Sequence, residues 1–191
     1  MTQTVTTFYR FVDLPDCEEF RTRLEAECKT HAVLGTIILA AEGLNATIAG
    51  SKAGVSAVLA FIHSDARFAD MPHRECKTER ETFHRLRLII RPEIVTLGDP
   101  SANPNKAVGK YVAPEDWNEL ISDPEVLLID TRNDYEVELG TFKNAVNPNT
   151  AAFGEWDTFV QKNLGANKQQ KVAMFCTGGI RCEKASAHLL K

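Results

Sequence analysis

No apolar stretch in this chain of 191 residues approaches the ~20 needed to cross a bilayer. The longest, residues 32–41, stops at Glu42. The start, Met1-Thr-Gln-Thr-Val-Thr-Thr, has neither the basic residues nor the apolar centre of a secretory leader. Cysteine is sparse and odd in number, five without a repeating interval, which argues against a disulfide framework. A reducing cytoplasm is therefore expected, where a cysteine in a special loop is more often reactive than crosslinking. His31, His63, His73 and His188 stand apart in the sequence, so no ligand set for a metal is evident. There is no dinucleotide fingerprint, no internal repeat and no low-complexity segment, and no cofactor is implied by the residues themselves. Excess positive charge is missing too. The net charge of −4 argues against binding nucleic acid through overall charge. A local patch remains, because residues 73–91 hold Arg74, Lys77, Arg80, Arg85, Arg87 and Arg91 against Glu75, Glu79 and Glu81.

What is present reads as an α/β protein of two parts. Residues 5–12 alternate and are rich in β-formers, predicting a strand. Pro15 and Asp16 then open an amphipathic helix with Phe20, Leu24 and Cys28 along one face. Strands at 34–39 and 44–48 flank a turn at Glu42, giving a hairpin, and Ser51 caps a helix carrying Val55, Val58, Leu59 and Ile62. A fourth strand is expected at 83–90, ended by Pro92. The order β-α-β-β-α-β is the ferredoxin-like split βαβ, the fold of acylphosphatases, and is placed at residues 1–97. Its first strand–helix junction has no glycine-rich phosphate loop, so acylphosphatase chemistry is not expected.

Residues 98–110, rich in Pro, Gly and Asn, read as a linker. Residues 111–191 then change pattern. A short helix begins at Pro114, residues 126–130 form a continuous apolar strand, a helix covers 153–159, and 172–175 is a second buried strand. Continuous apolar strands belong to parallel sheets covered on both faces, whose ligands gather beyond the strands' carboxyl ends. Asp130 and Cys176 both fall on that edge. A sheet of this kind normally continues into another strand, so this domain is expected to be incomplete at its C-terminus.

The run Cys176-Thr177-Gly178-Gly179-Ile180-Arg181 sits where a strand passes into a helix. Glycines permit a tight loop whose N–H groups turn inward, and the helix N-terminus adds orphan donors and partial positive charge. Such surroundings favour a thiolate and equally stabilise the terminal sulfur of a persulfide. Arg181 adds a fixed cation suited to an anion. Four residues separate Cys176 from Arg181, a smaller cradle than the five-residue spacing of phosphatases, so a lone sulfur fits better than a phosphoryl group. Cys182 lies on a stripe with Ala185, Ser186 and Leu189 and reads either as a packing residue or as a resolving thiol.

At this point the sequence resembles the rhodanese domain. Leu128-Ile-Asp-Thr-Arg132, Glu136, Gly140, Ala145 and Asn147 follow its D-x-R…E…G-H-I-P-G-A-x-N pattern, with Thr141-Phe142 in place of His-Ile and Lys143-Asn144 in place of Pro-Gly. The fuller resemblance is to the bacterial TrhO (YceA) family of rhodanese-related tRNA uridine hydroxylases. It rests on A-E-G-L-N-A-T-I-A-G (41–50), Asp130-Thr-Arg-Asn-Asp-Tyr-Glu136 and C-T-G-G-I-R-C-E-K (176–184). The resemblance implies conversion of the wobble uridine of tRNA to 5-hydroxyuridine with molecular oxygen as co-substrate, Cys176 as the catalytic residue, and a family C-terminal portion longer than this chain holds. It also implies a sulfur or electron donor of unstated identity.

RNA docking has a modest basis in the residues. Phe83, Arg85 and Arg87 alternate onto one face of the expected fourth strand, which Phe8 and Arg10 of a neighbouring first strand would share. The other reading is a solvated face with snorkelling arginines. Asp130 and Arg132 are expected to brace the active-site edge. Three functions remain open: uridine hydroxylation near the tRNA anticodon, implied by the resemblance alone, sulfur transfer through a cysteine persulfide, and tRNA binding without catalysis.

Overall fold

The computed structural model describes residues 2–165, 167 and 169–191. They form two compact units, Met1–Ile94 and Val95–Lys191.

The first unit runs β1 (Gln3–Phe11), α1 (Cys17–Thr30), β2 (Leu34–Ala40), β3 (Gly43–Gly50), α2 (Lys52–His63), β4 (His73–Thr78) and β5 (Leu86–Ile90). Strand alternation sends Ile37, Leu39, Leu44, Ala46 and Ile48 to one face, where Phe20, Leu24 and Cys28 of α1 meet Val55, Val58 and Ile62 of α2. Full burial of each large apolar side chain contributes roughly 1.5–3 kcal/mol, which is why two short helices hold against this sheet. The Ser51 side chain accepts from the Gly54 amide at 3.0 Å, starting α2 where its cap was expected. Gly43, in the turn of the A-E-G-L-N motif, has φ 136°, and a Cβ there would lie 2.0 Å from the Arg10 carbonyl oxygen. Only glycine fits.

The sheet order is β4-β1-β3-β2-β5. The first four strands are the split βαβ arrangement, and β5 is added beside β2, parallel to it. This corrects the expected fourth strand. β4, which pairs with β1, is the exposed run His73-Arg-Glu-Cys-Lys-Thr78, part of the charged patch at 73–91. Residues 86–90 are instead the far edge, separated from β1 by two intervening strands. Phe83 and Arg85 precede that strand.

The second unit runs α3 (Pro114–Ser122), β6 (Val126–Asp130), α4 (Asp134–Val137), α5 (Trp156–Asn163), β7 (Lys171–Phe175) and α6 (Ile180–Leu189). β6 and β7 are parallel, and Ile129 bridges Val146 beside them. Ile129, Trp156, Phe153, Phe159 and Ala185 form the core together with Leu97 and Ala102. Residues 98–110, expected as a linker, therefore supply Ala102 to this core, and the Gly109 amide donates to Ser186 Oγ at 2.9 Å. No described helix is long and apolar enough to cross a membrane.

Candidate active site

Parallel pairing sets Asp130 opposite Phe175, so Asp130, Thr131, Arg132 and Cys176 all emerge at one carboxyl edge. The chain then turns through residues 176–179 into α6. Gly179 makes that turn possible, with φ 97°, a conformation other residues enter at a cost. Its amide donates to Cys176 Sγ at 3.0 Å. Gly178 differs: a Cβ there would meet open space, so only one of the two glycines is required by geometry.

Cys176 is half-buried, and its thiol is drawn down to about 5. The largest cause is a hydrogen bond from the Cys182 side chain. Burial opposes it, and the amides of Cys182, Gly179 and Gly178 reinforce it. Cys182 pays the converse, its own ionisation blocked first by the Cys176 thiolate and then by burial. Cys182 stands in the first turn of α6, half-buried and outside the apolar core cluster, while Ala185 and Ser186 of its stripe are buried. Thr131, which the sequence did not single out, lies beneath this pair. Its hydroxyl donates to the Phe175 carbonyl at 3.0 Å and sits 3.5 Å from Cys182 Sγ.

Arg181 was expected to offer a cation to an incoming anion. It is engaged instead by Glu136, with Nη1 to Oε2 at 2.5 Å and Nη2 to Oε1 at 2.8 Å. Thr177 donates to the same carboxylate at 2.7 Å, and the Asn133 amide at the start of α4 donates to it at 3.2 Å. These donors, Arg181 first, hold Glu136 ionised down to about 2 despite its burial. Arg181 is made more basic by Glu136 first and by Cys176 more weakly.

Asp130 is fully buried, which by itself opposes its charge. Arg132 overcomes this through Nε to Oδ1 at 2.9 Å and Nη2 to Oδ2 at 2.6 Å, helped by Thr141 Oγ1 at 2.8 Å, and the carboxyl stays below the usual range. The replacements Thr141 and Phe142 both have places. Thr141 locks Asp130, and the Phe142 ring meets Phe175 edge-on with centroids 4.8 Å apart, beside Trp117. Asn144, where the rhodanese pattern has glycine, keeps the left-handed turn at φ 65°, which asparagine tolerates better than most residues. Arg132, whose guanidinium lies 5.7 Å above the Phe175 ring, lines with Phe142, Thr177 and Cys176 an open cleft of about 520 Å³. Among the described residues no group of three or more His, Cys, Asp or Glu is placed to hold a metal ion.

The RNA candidates do not converge as expected. Arg10 pairs in register with core residue Leu44 and forms an ion pair with Asp70 at 2.8 Å, while Phe8 is buried in the core; both belong to the helix-covered side. Arg87 is on the open side. Register aligns it with Thr36, Thr47, Thr7 and Arg74 in one row across all five strands. Arg74, counted in the basic patch at 73–91, was not placed on this face because its strand was not expected. Glu42 and Asn45, both in the A-E-G-L-N motif, grip Ile94: Glu42 Oε1 accepts from its amide at 2.8 Å and Asn45 Nδ2 donates to its carbonyl at 3.1 Å.

Residues 3–94 match the UPF0176 acylphosphatase like domain and residues 113–191 the rhodanese-like domain. The class is therefore a mixed α/β protein joining these two domains. A curated relative from Picosynechococcus sp., named tRNA uridine(34) hydroxylase, is 50% identical over 186 residues, 97% of this chain. The chain spans 62% of that relative's length. Among solved structures, an acylphosphatase from Coxiella burnetii aligns at 7% identity over 46% of this chain and 93% of its own, with TM-score 0.34. The BlsA photo-activated state aligns at 14% identity over 62% of this chain and 91% of its own, with TM-score 0.40. Scores this low bear on neither fold nor function.

Proposed function

We propose that the protein to which this chain belongs hydroxylates the wobble uridine of tRNA to 5-hydroxyuridine, with molecular oxygen as co-substrate and Cys176 as the reacting group. The observation that carries this reading is a cysteine sulfur that accepts from the Gly179 amide at 3.0 Å and lines an open cleft, in a chain half identical to a tRNA uridine(34) hydroxylase. The cleft suits a flat, uncharged ring. Phe142 and Phe175 supply apolar edges, and Thr177 and Arg132 supply hydrogen-bonding groups beside the sulfur. The first domain would hold the RNA backbone across its open sheet face.

Nucleoside mass spectrometry tests the assignment. Cells lacking the native gene are given the full-length protein, either wild type or Cys176→Ser, and wobble 5-hydroxyuridine is quantified. The modification is expected in the first and is reduced at least tenfold in the second. Equal levels would overturn Cys176 as the reacting group.

A further inference from the structure

We propose that Glu136 decides which substrates reach Cys176, by engaging Arg181 so that the cradle turns away anionic reagents and admits uncharged ones. The inference concerns the charge of the cradle and does not rest on the hydroxylase reading.

Arg181 is the cation nearest the loop, and in most loops of this shape a cation at the rim would draw an anion toward the sulfur. Here both of its terminal nitrogens are taken by one carboxylate, at 2.5 and 2.8 Å, with the two side chains 14% and 16% exposed. Glu136 is not free to swing away. The Asn133 amide donates to its Oε2 at 3.2 Å, and the Thr177 hydroxyl holds Oε1 at 2.7 Å from the residue next to the nucleophile. Arg132, the other arginine at the cleft, is bound in the same two-pronged manner to buried Asp130. Each guanidinium is matched by a carboxylate, so the thiolate is left as the charge in excess. An anion entering this partly desolvated site meets that sulfur and Glu136 with no uncommitted cation to offset them. A neutral molecule meets no such barrier.

The consequence for sulfur transfer is direct. In that reaction the Cys176 thiolate attacks the outer sulfur of thiosulfate, a new S–S bond forms, the donor's S–S bond breaks, and sulfite departs with the bonding pair. Cyanide then removes the bound sulfur as thiocyanate and regenerates the thiolate. The first step brings a dianion onto an anion, which the Glu136–Arg181 pair leaves unassisted.

Iodoacetate and iodoacetamide alkylate by the same displacement of iodide and differ in charge, so their rate ratio at Cys176 reads the selectivity. Rates are measured at neutral pH on the full protein from mass spectra of the Cys176 peptide. In the wild type iodoacetate is expected to lag iodoacetamide by more than it does on a free cysteine. Glu136→Gln keeps an acceptor for Thr177 and uncovers Arg181. It should raise the iodoacetate rate about tenfold and leave the iodoacetamide rate within about twofold. Arg181→Leu uncovers Glu136 instead and should move the ratio the opposite way. Thiosulfate-dependent thiocyanate formation should rise in Glu136→Gln through a lower KM. Should one variant fail to fold, the other still decides, since each carries its own sign. A ratio unmoved in the folded variants, or a wild type that already prefers the anion, would overturn the proposal.

Discussion

A thiol ionises early when several donors converge on its sulfur, and the donors around Cys176 are of two kinds that substitution can separate. The main-chain amides of Gly178, Gly179 and Cys182 belong to the turn itself, whereas the largest contribution comes from the Cys182 side chain. Serine at 182 retains an O–H donor, and alanine retains none. A thiolate with a depressed pKa is fully formed well below the ordinary cysteine range, and its reactivity is lost only as pH falls through about 5. The iodoacetamide rate at Cys176 should therefore be flat from neutral pH down to about 6 in wild type. Cys182→Ser should preserve that profile, and Cys182→Ala should shift its midpoint upward by at least one unit. If serine behaved like alanine, the thiol would matter as a thiol, the resolving role left open by the sequence, and not as a donor.

At the scale of the element, the turn between β7 and α6 depends on one glycine. Gly179→Ala forces a Cβ into a conformation at φ 97° that costs about 1–3 kcal/mol, and it displaces the amide 3.0 Å from the sulfur. Gly178→Ala meets open space and should leave stability within about 0.5 kcal/mol. Urea unfolding and the alkylation profile of the two variants check both statements, and equal losses would show that the loop is not built on Gly179. The turn was legible in the sequence because its signals are contiguous: an apolar strand, a nucleophile, paired glycines and a helix follow one another within twenty residues. α1, the hairpin and α2 were legible for the same reason, since period and caps are local. β4 was not, because His73-Arg-Glu-Cys-Lys-Thr78 has no alternation to report; pairing with β1 alone makes it a strand. Nor could Glu136 be matched to Arg181. Their bridge joins positions 45 apart in sequence, and spacing says nothing about a contact closed by tertiary structure.

Across the whole first domain, the five-stranded sheet has one face covered by α1 and α2 and a row on the other that starts at Arg74, crosses Thr7, Thr47 and Thr36, and ends at Arg87. The two arginines are edge residues with exposed side chains. Four inter-strand spacings separate them, roughly 19 Å, a span that reaches across several phosphates of an extended RNA strand. The threonines between them offer hydroxyls and little bulk, so a backbone could lie close to the sheet. This arrangement differs in kind from the aromatic stacking face first expected, because Phe8 is buried and Phe83 lies outside the strand. It predicts contacts to phosphate and not to base edges. Arg74→Ala and Arg87→Ala should each weaken tRNA binding similarly for all sequences and reduce the slope of log affinity against log salt by about 1. Arg10→Ala, which removes an ion pair on the covered side, should leave that slope unchanged. Binding isotherms at several salt concentrations provide the measurement. A slope altered by Arg10→Ala and unaffected by the two edge arginines would place the RNA on the opposite face of the sheet.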